Sequence, residues 1–293
     1  MSPDLKFWQV LLWLMVGLAA LLRAETPGEG KPRLVSGAGA ITETIYALGA
    51  QEQLVAVDLS SVYPEEAAAL PQIGYSRILS AEGILSMQPS LVLVNEDAGP
   101  DAALGQVEAA GVKVLRLPNR PSPESAMERI AAIGEALGRQ REAGDLIARV
   151  GNDLKEAAAQ VAATRERPRV LFVYTRGGAL MNVAGRGSGA ETMIRLAGGI
   201  NAVDQYEGYR PLTAEGVVTA APEVILVTTR GLESSGGIDE FLKQPGLALT
   251  KAGRERRVIA MDDLALLGFG PRLGEAVMEL SGKLHGASCP PVP

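Results

Sequence analysis

The chain has 293 residues, of which 47% are hydrophobic and 21% charged. That is ordinary globular composition, and the length exceeds one typical domain. A formal net charge of −6 with no dense Lys/Arg cluster excludes the usual nucleic-acid-binding proteins.

The first element is a leader. Lys6 precedes an apolar run from Phe7 to Leu22, broken only by Gln9, and Arg23, Ala24 and Glu25 lead into a Pro/Gly-rich stretch. This is the pattern of a secretory signal peptide, residues 1–24, cleaved near Ala24. The run is short for a membrane span, which needs roughly 20 apolar residues; an uncleaved anchor is the other reading. The single cysteine, Cys289, stands in a Pro-rich tail at 287–293, so no intrachain disulfide forms and no lipid-anchoring Cys follows the leader. The expected location is the periplasm, with stability supplied by packed cores.

From Arg33 onward, short β-branched runs alternate with Ala/Leu/Glu-rich stretches. Leu34–Val35, Leu54–Val57, Leu91–Val94 and Val112–Leu115 read as buried strands, and Ile41–Leu48 and Ala81–Met87 as helices. The same alternation returns after Pro168, with strands at Val170–Tyr174 and Val224–Val227 and a helix at Ala190–Leu196. This predicts an α/β fold with largely parallel sheets. Two Rossmann-like lobes are expected, at 33–124 and 168–286, joined by a helical region at 125–167. Gly138 and Gly144 are the points at which that region divides, and its second part, about Gln140 to Thr164, carries an apolar stripe at helical spacing. About 25 helical residues span roughly 37 Å, enough to pass from one lobe to the other.

An internal repeat supports the duplication. Gly74-Tyr75 through Ser80-Ala81-Glu82-Gly83-Ile84 and on to Pro89 and Leu91–Val94 matches Gly208-Tyr209 through Thr213-Ala214-Glu215-Gly216-Val217 and on to Pro222 and Val224–Val227. Each copy reads as an N-capped helix, a Pro stop and a buried strand, with Ser80 and Thr213 as caps.

These segments carry a resemblance. Leu70-Pro71-Gln72-Ile73-Gly74-Tyr75-Ser76-Arg77, then Ser80-Ala81-Glu82-Gly83-Ile84-Leu85, Val183-Ala184-Gly185-Arg186-Gly187, Ile194–Gly199, Thr229-Arg230-Gly231 and Gly268-Phe269-Gly270-Pro271-Arg272 closely resemble the haem-binding periplasmic proteins of bacterial haem-uptake ABC transporters. The resemblance covers Arg33 to Gly286. It implies two α/β lobes joined by one long helix with little hinge closure, haem clamped in the cleft between them, and delivery by a monomer to the membrane subunits of an ABC permease.

The resemblance also implies a site. Tyr75 maps onto the family's iron-ligating tyrosine, a hard anionic donor suited to ferric iron. A free phenol titrates near 10, so the metal and a nearby guanidinium must favour the phenolate. Arg77, two residues on, faces the cleft if the segment is extended. Arg230 follows the strand Val224–Val227, at the carboxyl end where open α/β sheets bind ligands, and takes the place of the family arginine that supports the tyrosinate. Arg176, Arg210 and Arg272 are weaker partners for the haem propionates. Tyr209, the repeat partner of Tyr75, is expected to line the cleft from the second lobe. Some relatives hold a second haem through a second-lobe histidine; the lone histidine, His285, lies elsewhere, so one haem is favoured. Glu82 and Glu215, equivalent positions in equivalent helices, map onto the glutamates that dock such proteins onto permease arginines.

Gly185–Gly189 lacks the Lys-Ser/Thr ending of a phosphate loop and reads as a turn before a helix. No zinc-protease, nucleophile-elbow or Walker motif is present, so no catalytic activity is expected. Three other readings stand beside haem capture: the same fold carrying cobalamin or a ferric siderophore, an exported α/β oxidoreductase or hydrolase, and a membrane-anchored docking protein with an uncleaved leader.

Overall fold

The computed structural model describes residues 32–175 and 181–286. The leader and its cleavage point, Arg176, and the tail with Cys289 lie outside the described residues.

The first lobe runs β1 (Leu34–Ser36), α1 (Gly39–Ala47), β2 (Leu54–Val57), α2 (Glu65–Ala68), α3 (Ala81–Leu85), β3 (Leu91–Asn95), α4 (Asp101–Ala109) and β4 (Lys113–Leu117). Helices α5 (Pro123–Ala136) and α6 (Gln140–Ala163) follow. The second lobe continues with β5 (Arg169–Tyr174), β6 (Asn182–Ala184), α7 (Gly189–Leu196), β7 (Ile200–Asn201), β8 (Tyr209–Pro211), α8 (Ala214–Ala220), β9 (Val224–Thr228) and α9 (Thr229–Ser234). It closes with α10 (Ile238–Leu242), α11 (Lys251–Arg254), β10 (Val258–Met261), α12 (Asp263–Leu267) and α13 (Leu273–His285).

The first-lobe sheet has the order β2-β1-β3-β4 and is parallel throughout. The second has the order β10-β9-β5-β6-β8, with β7 also pairing β5. Here β9, β10 and β7 run parallel to their partners, whereas β6 pairs antiparallel with both β5 and β8. The second sheet is thus more mixed than the strand–helix alternation predicts.

The central strands β1, β3 and β9 are covered on both faces, which is why they are apolar runs rather than alternating ones. At the edges, β4 exposes Lys113 and Arg116, so the strand expected to be buried at Val112–Leu115 is only partly so, and β8 is exposed. Successive side chains point to opposite faces. On β3, Leu91 and Leu93 enter a central layer while Val92 and Val94 enter the outer core of the first lobe. On β9, Val224 and Leu226 enter the same central layer while Ile225 and Val227 face the outer core of the second lobe. Ile130 of α5, Val150 of α6 and Leu280 of α13 complete that central layer, so one apolar core runs from lobe to lobe through the helices.

The helical region divides at Gly138, whose φ of +67° suits glycine, while Gly144 lies inside α6 with open space beside it. The repeat is faithful in detail. Ser80 accepts a hydrogen bond from the Gly83 amide at 3.3 Å, and Thr213 accepts one from the Gly216 amide at 3.1 Å. Gln88 and Ala221, each just before the stop proline, both adopt left-handed backbone, with φ of 49° and 45°.

Candidate functional site

A cavity of about 580 Å³ opens between the lobes, within the range of small-molecule sites. Its first-lobe wall comes from the amino end of α1 (Ala38, Gly39, Ala40), the loop after β2 (Leu59, Ser60, Val62), Tyr75, Asn95 and Asn119. The second lobe supplies Tyr174, Arg230, Ser234, Asp263, Leu264, Leu267 and Gly268. Asn95 and Tyr174 are the last residues of β3 and β5, so the cavity lies at carboxyl ends of strands in both sheets. The lobes touch at Gly39: a Cβ there would stand 2.4 Å from the Ser60 carbonyl oxygen and 2.9 Å from Leu264 Cδ1.

Tyr75 is half-buried and lines the cavity. Gly74, at φ +93°, turns the chain before it, and the Leu59 amide donates to the Gly74 carbonyl at 3.0 Å. On the other side the Gly99 amide donates to the Ser76 carbonyl at 2.9 Å. The tyrosine is therefore presented by a loop held to the scaffold at both ends.

The expected extended geometry does not hold beyond Tyr75. The Ile78 amide donates to the Tyr75 carbonyl at 2.9 Å, closing a turn, so residues two apart no longer point the same way. Arg77 does not line the cavity; its Nη2 donates to Asp97 Oδ2 at 2.6 Å on the surface. Asp97 in turn accepts from Asn119 Nδ2 at 2.9 Å, and Asn119 Oδ1 accepts from Arg129 Nη1 at 3.2 Å. Arg77 thus belongs to a polar chain around the Tyr75 loop.

Arg230 does line the cavity, in the first turn of α9, which Thr228 caps by accepting from the Gly231 amide at 3.1 Å. Its backbone N–H points to Asp263 Oδ2 at 3.4 Å, and among the described lining residues it is the one cation and Asp263 the one carboxylate. No ion pair to its guanidinium is found among the described residues.

Tyr209 does not reach the cavity lining. It sits on β8, paired with Ala184 of β6, and its ring stands behind Tyr174 at a centroid distance of 6.1 Å. The repeat copy of Tyr75 therefore lies in a strand instead of a loop, because the second lobe adds the antiparallel strand β6. Tyr209 as a whole is exposed, at 43%, but local desolvation of its hydroxyl, with the neighbouring Tyr174 phenol, pushes that group up to about 12.

The weaker arginines are otherwise engaged. Arg272 pairs with Glu43 through Nε and Nη2 at 2.9 and 3.2 Å, with Asp262 at 3.3 Å, and lies over the Tyr63 ring at 3.8 Å. Arg210 lies over the Tyr206 ring at 4.5 Å. His285 Nε2 is 3.1 Å from the Ala197 carbonyl oxygen, away from the cavity. In the Gly185–Gly189 turn, Ser188 accepts from the Glu191 amide at 3.1 Å and Glu191 Oε2 from the Gly187 amide at 2.8 Å; this is helix capping.

Glu82 and Glu215 are both exposed, each the second residue of its helix. Among the described residues neither is ion-paired.

Tyr174, Asn95, Asn119 and Asp263 went unmarked in the sequence. Tyr174 was within reach, since it ends a predicted strand and the rule that marked Arg230 applies to it equally. The two asparagines carry no comparable signal.

The periplasmic binding protein family model matches residues 34–265. Among solved structures, the periplasmic haem-binding protein RhuT from Roseiflexus sp. RS-1 is 46% identical, with a TM-score of 0.85 over 87% of this chain and 98% of that one. The periplasmic haem-binding protein BhuT, in complex with two haems, is 42% identical, with a TM-score of 0.83 over 87% and 98%. A more distant relative is the vitamin B12-binding protein of Vibrio parahaemolyticus, 26% identical over 78% of this chain and 81% of its own length.

Proposed function

We propose a cargo and a route for this chain, which belongs to the periplasmic binding protein family: it captures ferric haem outside the cytoplasm and passes it to an ABC permease in the inner membrane. It is a solute-binding protein and not an enzyme.

The observation that carries the cargo is that Tyr75 and Arg230, contributed by opposite lobes, line one cavity. In this reading the Tyr75 oxygen bonds the iron as phenolate, and the Arg230 guanidinium favours the ionised form by its charge. Leu59, Val62, Leu264 and Leu267 offer apolar surface to the porphyrin. Arg77 acts through the loop that presents Tyr75, and Tyr209 acts through Tyr174. The similarity to haem-binding structures at 46% and 42% identity supports haem over cobalamin, whose carrier is 26% identical.

One haem is the proposed load. The sole histidine is bonded away from the cavity, and Tyr209 does not line it. The leader is removed near Ala24 on export, and the mature chain works as a monomer. Glu82 and Glu215, exposed at matching helix starts, meet arginines of a two-fold permease; such pairs set orientation and encounter rate more than affinity.

The test is an absorbance titration of the mature protein with haemin and, separately, with cyanocobalamin. Saturation near one equivalent of haemin, with no cobalamin binding, is expected. Cobalamin binding without haemin binding overturns the cargo; saturation at two equivalents overturns the load.

A further inference from the structure

We propose that Tyr174 is the aromatic wall against which the porphyrin face packs, and that it contributes to ligand selection through its ring and not through its hydroxyl. This rests on the haem reading above and assigns a role within that cleft.

Two aromatic side chains, Tyr75 and Tyr174, line the cavity among the described residues. If the Tyr75 oxygen is bonded to iron, its ring stands on the axial side of the metal and is not free to lie along the macrocycle. The aromatic surface left for the flat face is Tyr174.

Its setting fits a plate. Tyr174 is the last residue of β5, a strand paired on both sides in the sheet, and is half-buried. Its ring packs on Phe172 at 6.4 Å and beside the exposed Tyr209 at 6.1 Å, tilted 36° and 60°. Both distances fall in the range of favourable aromatic pairs. Phe172 is fully buried in the central core, so the row of rings runs from the rigid interior to the cavity. A wall fixed in this way loses little freedom when a ligand packs on it.

Across the cavity, the amino end of α1 offers only Ala38, Gly39 and Ala40. A side chain at Gly39 is blocked by the Ser60 carbonyl. A small-residue edge on one lobe and an aromatic plate on the other suit a broad planar ligand.

Haemin and metal-free protoporphyrin IX separate the wall from the iron ligand. The prediction is that Tyr174→Leu weakens both by about tenfold, the upper range of a stacking contact. Tyr174→Phe binds both within about twofold of the parent, because the ring remains. Tyr75→Phe weakens haemin while leaving protoporphyrin IX binding in place. As a check independent of variant folding, the zinc protoporphyrin complex of the parent protein should show ring protons of Tyr174 shifted upfield, assigned by their loss in Tyr174→Phe. Unchanged binding in Tyr174→Leu, or no upfield-shifted tyrosine, overturns the wall. Equal loss in Tyr174→Phe and Tyr174→Leu also overturns it, by assigning the effect to the hydroxyl. If the parent protein binds protoporphyrin IX and haemin equally tightly, the iron-ligand reading fails while the wall stands.

Discussion

Arg129 Nη2 donates to the Phe269 carbonyl at 2.6 Å, joining helix α5, which follows the first lobe, to the second-lobe segment between α12 and α13. The same guanidinium donates to the Gly268 carbonyl at 3.0 Å and to the Pro118 carbonyl at 3.0 Å, and the side chain is 1% exposed. Phe269 is itself in left-handed backbone, at φ +50°. Burial pulls the guanidinium down to about 10, so it stays charged at neutral pH. Together with Glu43–Arg272, this contact fixes the lobes next to the cavity.

Arg129→Ala leaves several buried carbonyls without donors. The expected cost is about 3 kcal/mol or more in urea unfolding. Small-angle scattering should show a wider spread of interlobe arrangements in the variant than in the parent. A loss under about 0.5 kcal/mol, the range of ordinary surface substitutions, would mean that the clasp is not what holds the lobes.

Alkaline titration reports on the row of rings behind the cavity. The Tyr209 phenol titrates near 12 when folded and near 10 when unfolded. Its folded form retains the proton longer, so its contribution to stability is complete below pH about 10 and is lost as pH rises toward about 12. The stability advantage of the parent over Tyr209→Phe should therefore shrink across that window. A difference that stays flat or grows would contradict the burial of this hydroxyl.

Arg230→Gln removes the one cation among the described residues that line the cavity. An opposite charge lowers an acid's pKa, so its loss raises that of the ligand. The haemin complex of the variant should lose its tyrosinate absorbance at a higher pH on acidification than the parent does. Affinity at neutral pH should fall about tenfold, the effect of one lost charge-assisted contact. An unshifted acid transition would remove Arg230 from the site.

The reversal Glu82→Arg with Glu215→Arg touches neither the cavity nor the cores, since both residues are exposed. Haemin binding should match the parent, while uptake into proteoliposomes carrying the cognate permease should stop. Normal uptake would show that the matching glutamates are not docking contacts.

Much of this architecture is legible in the sequence because burial leaves a direct mark on it. Leu91–Val94 and Val224–Val227 are apolar at every position since both sheet faces are covered, and the Ser80 and Thr213 caps are read from residue type alone. That Tyr75 and Arg230 line one cavity is anticipated by the family resemblance, with the place of Arg230 after a strand end as added support from the residues themselves. What eludes the sequence depends on partners distant in the chain. Arg129 looks like any helical surface arginine until it meets carbonyls well over a hundred residues away. Tyr209 matches Tyr75 in the repeat, yet β6 places it behind Tyr174. Arg77 is diverted by a local turn that its neighbours do not announce.

The most direct measurement is resonance Raman spectroscopy of the haemin complex, excited in the charge-transfer band, for the parent protein and Tyr75→Phe. Phenolate modes of an iron-bound tyrosine are expected in the parent and should vanish in the variant. The same modes persisting after substitution, or absent from both proteins, would contradict iron ligation by Tyr75.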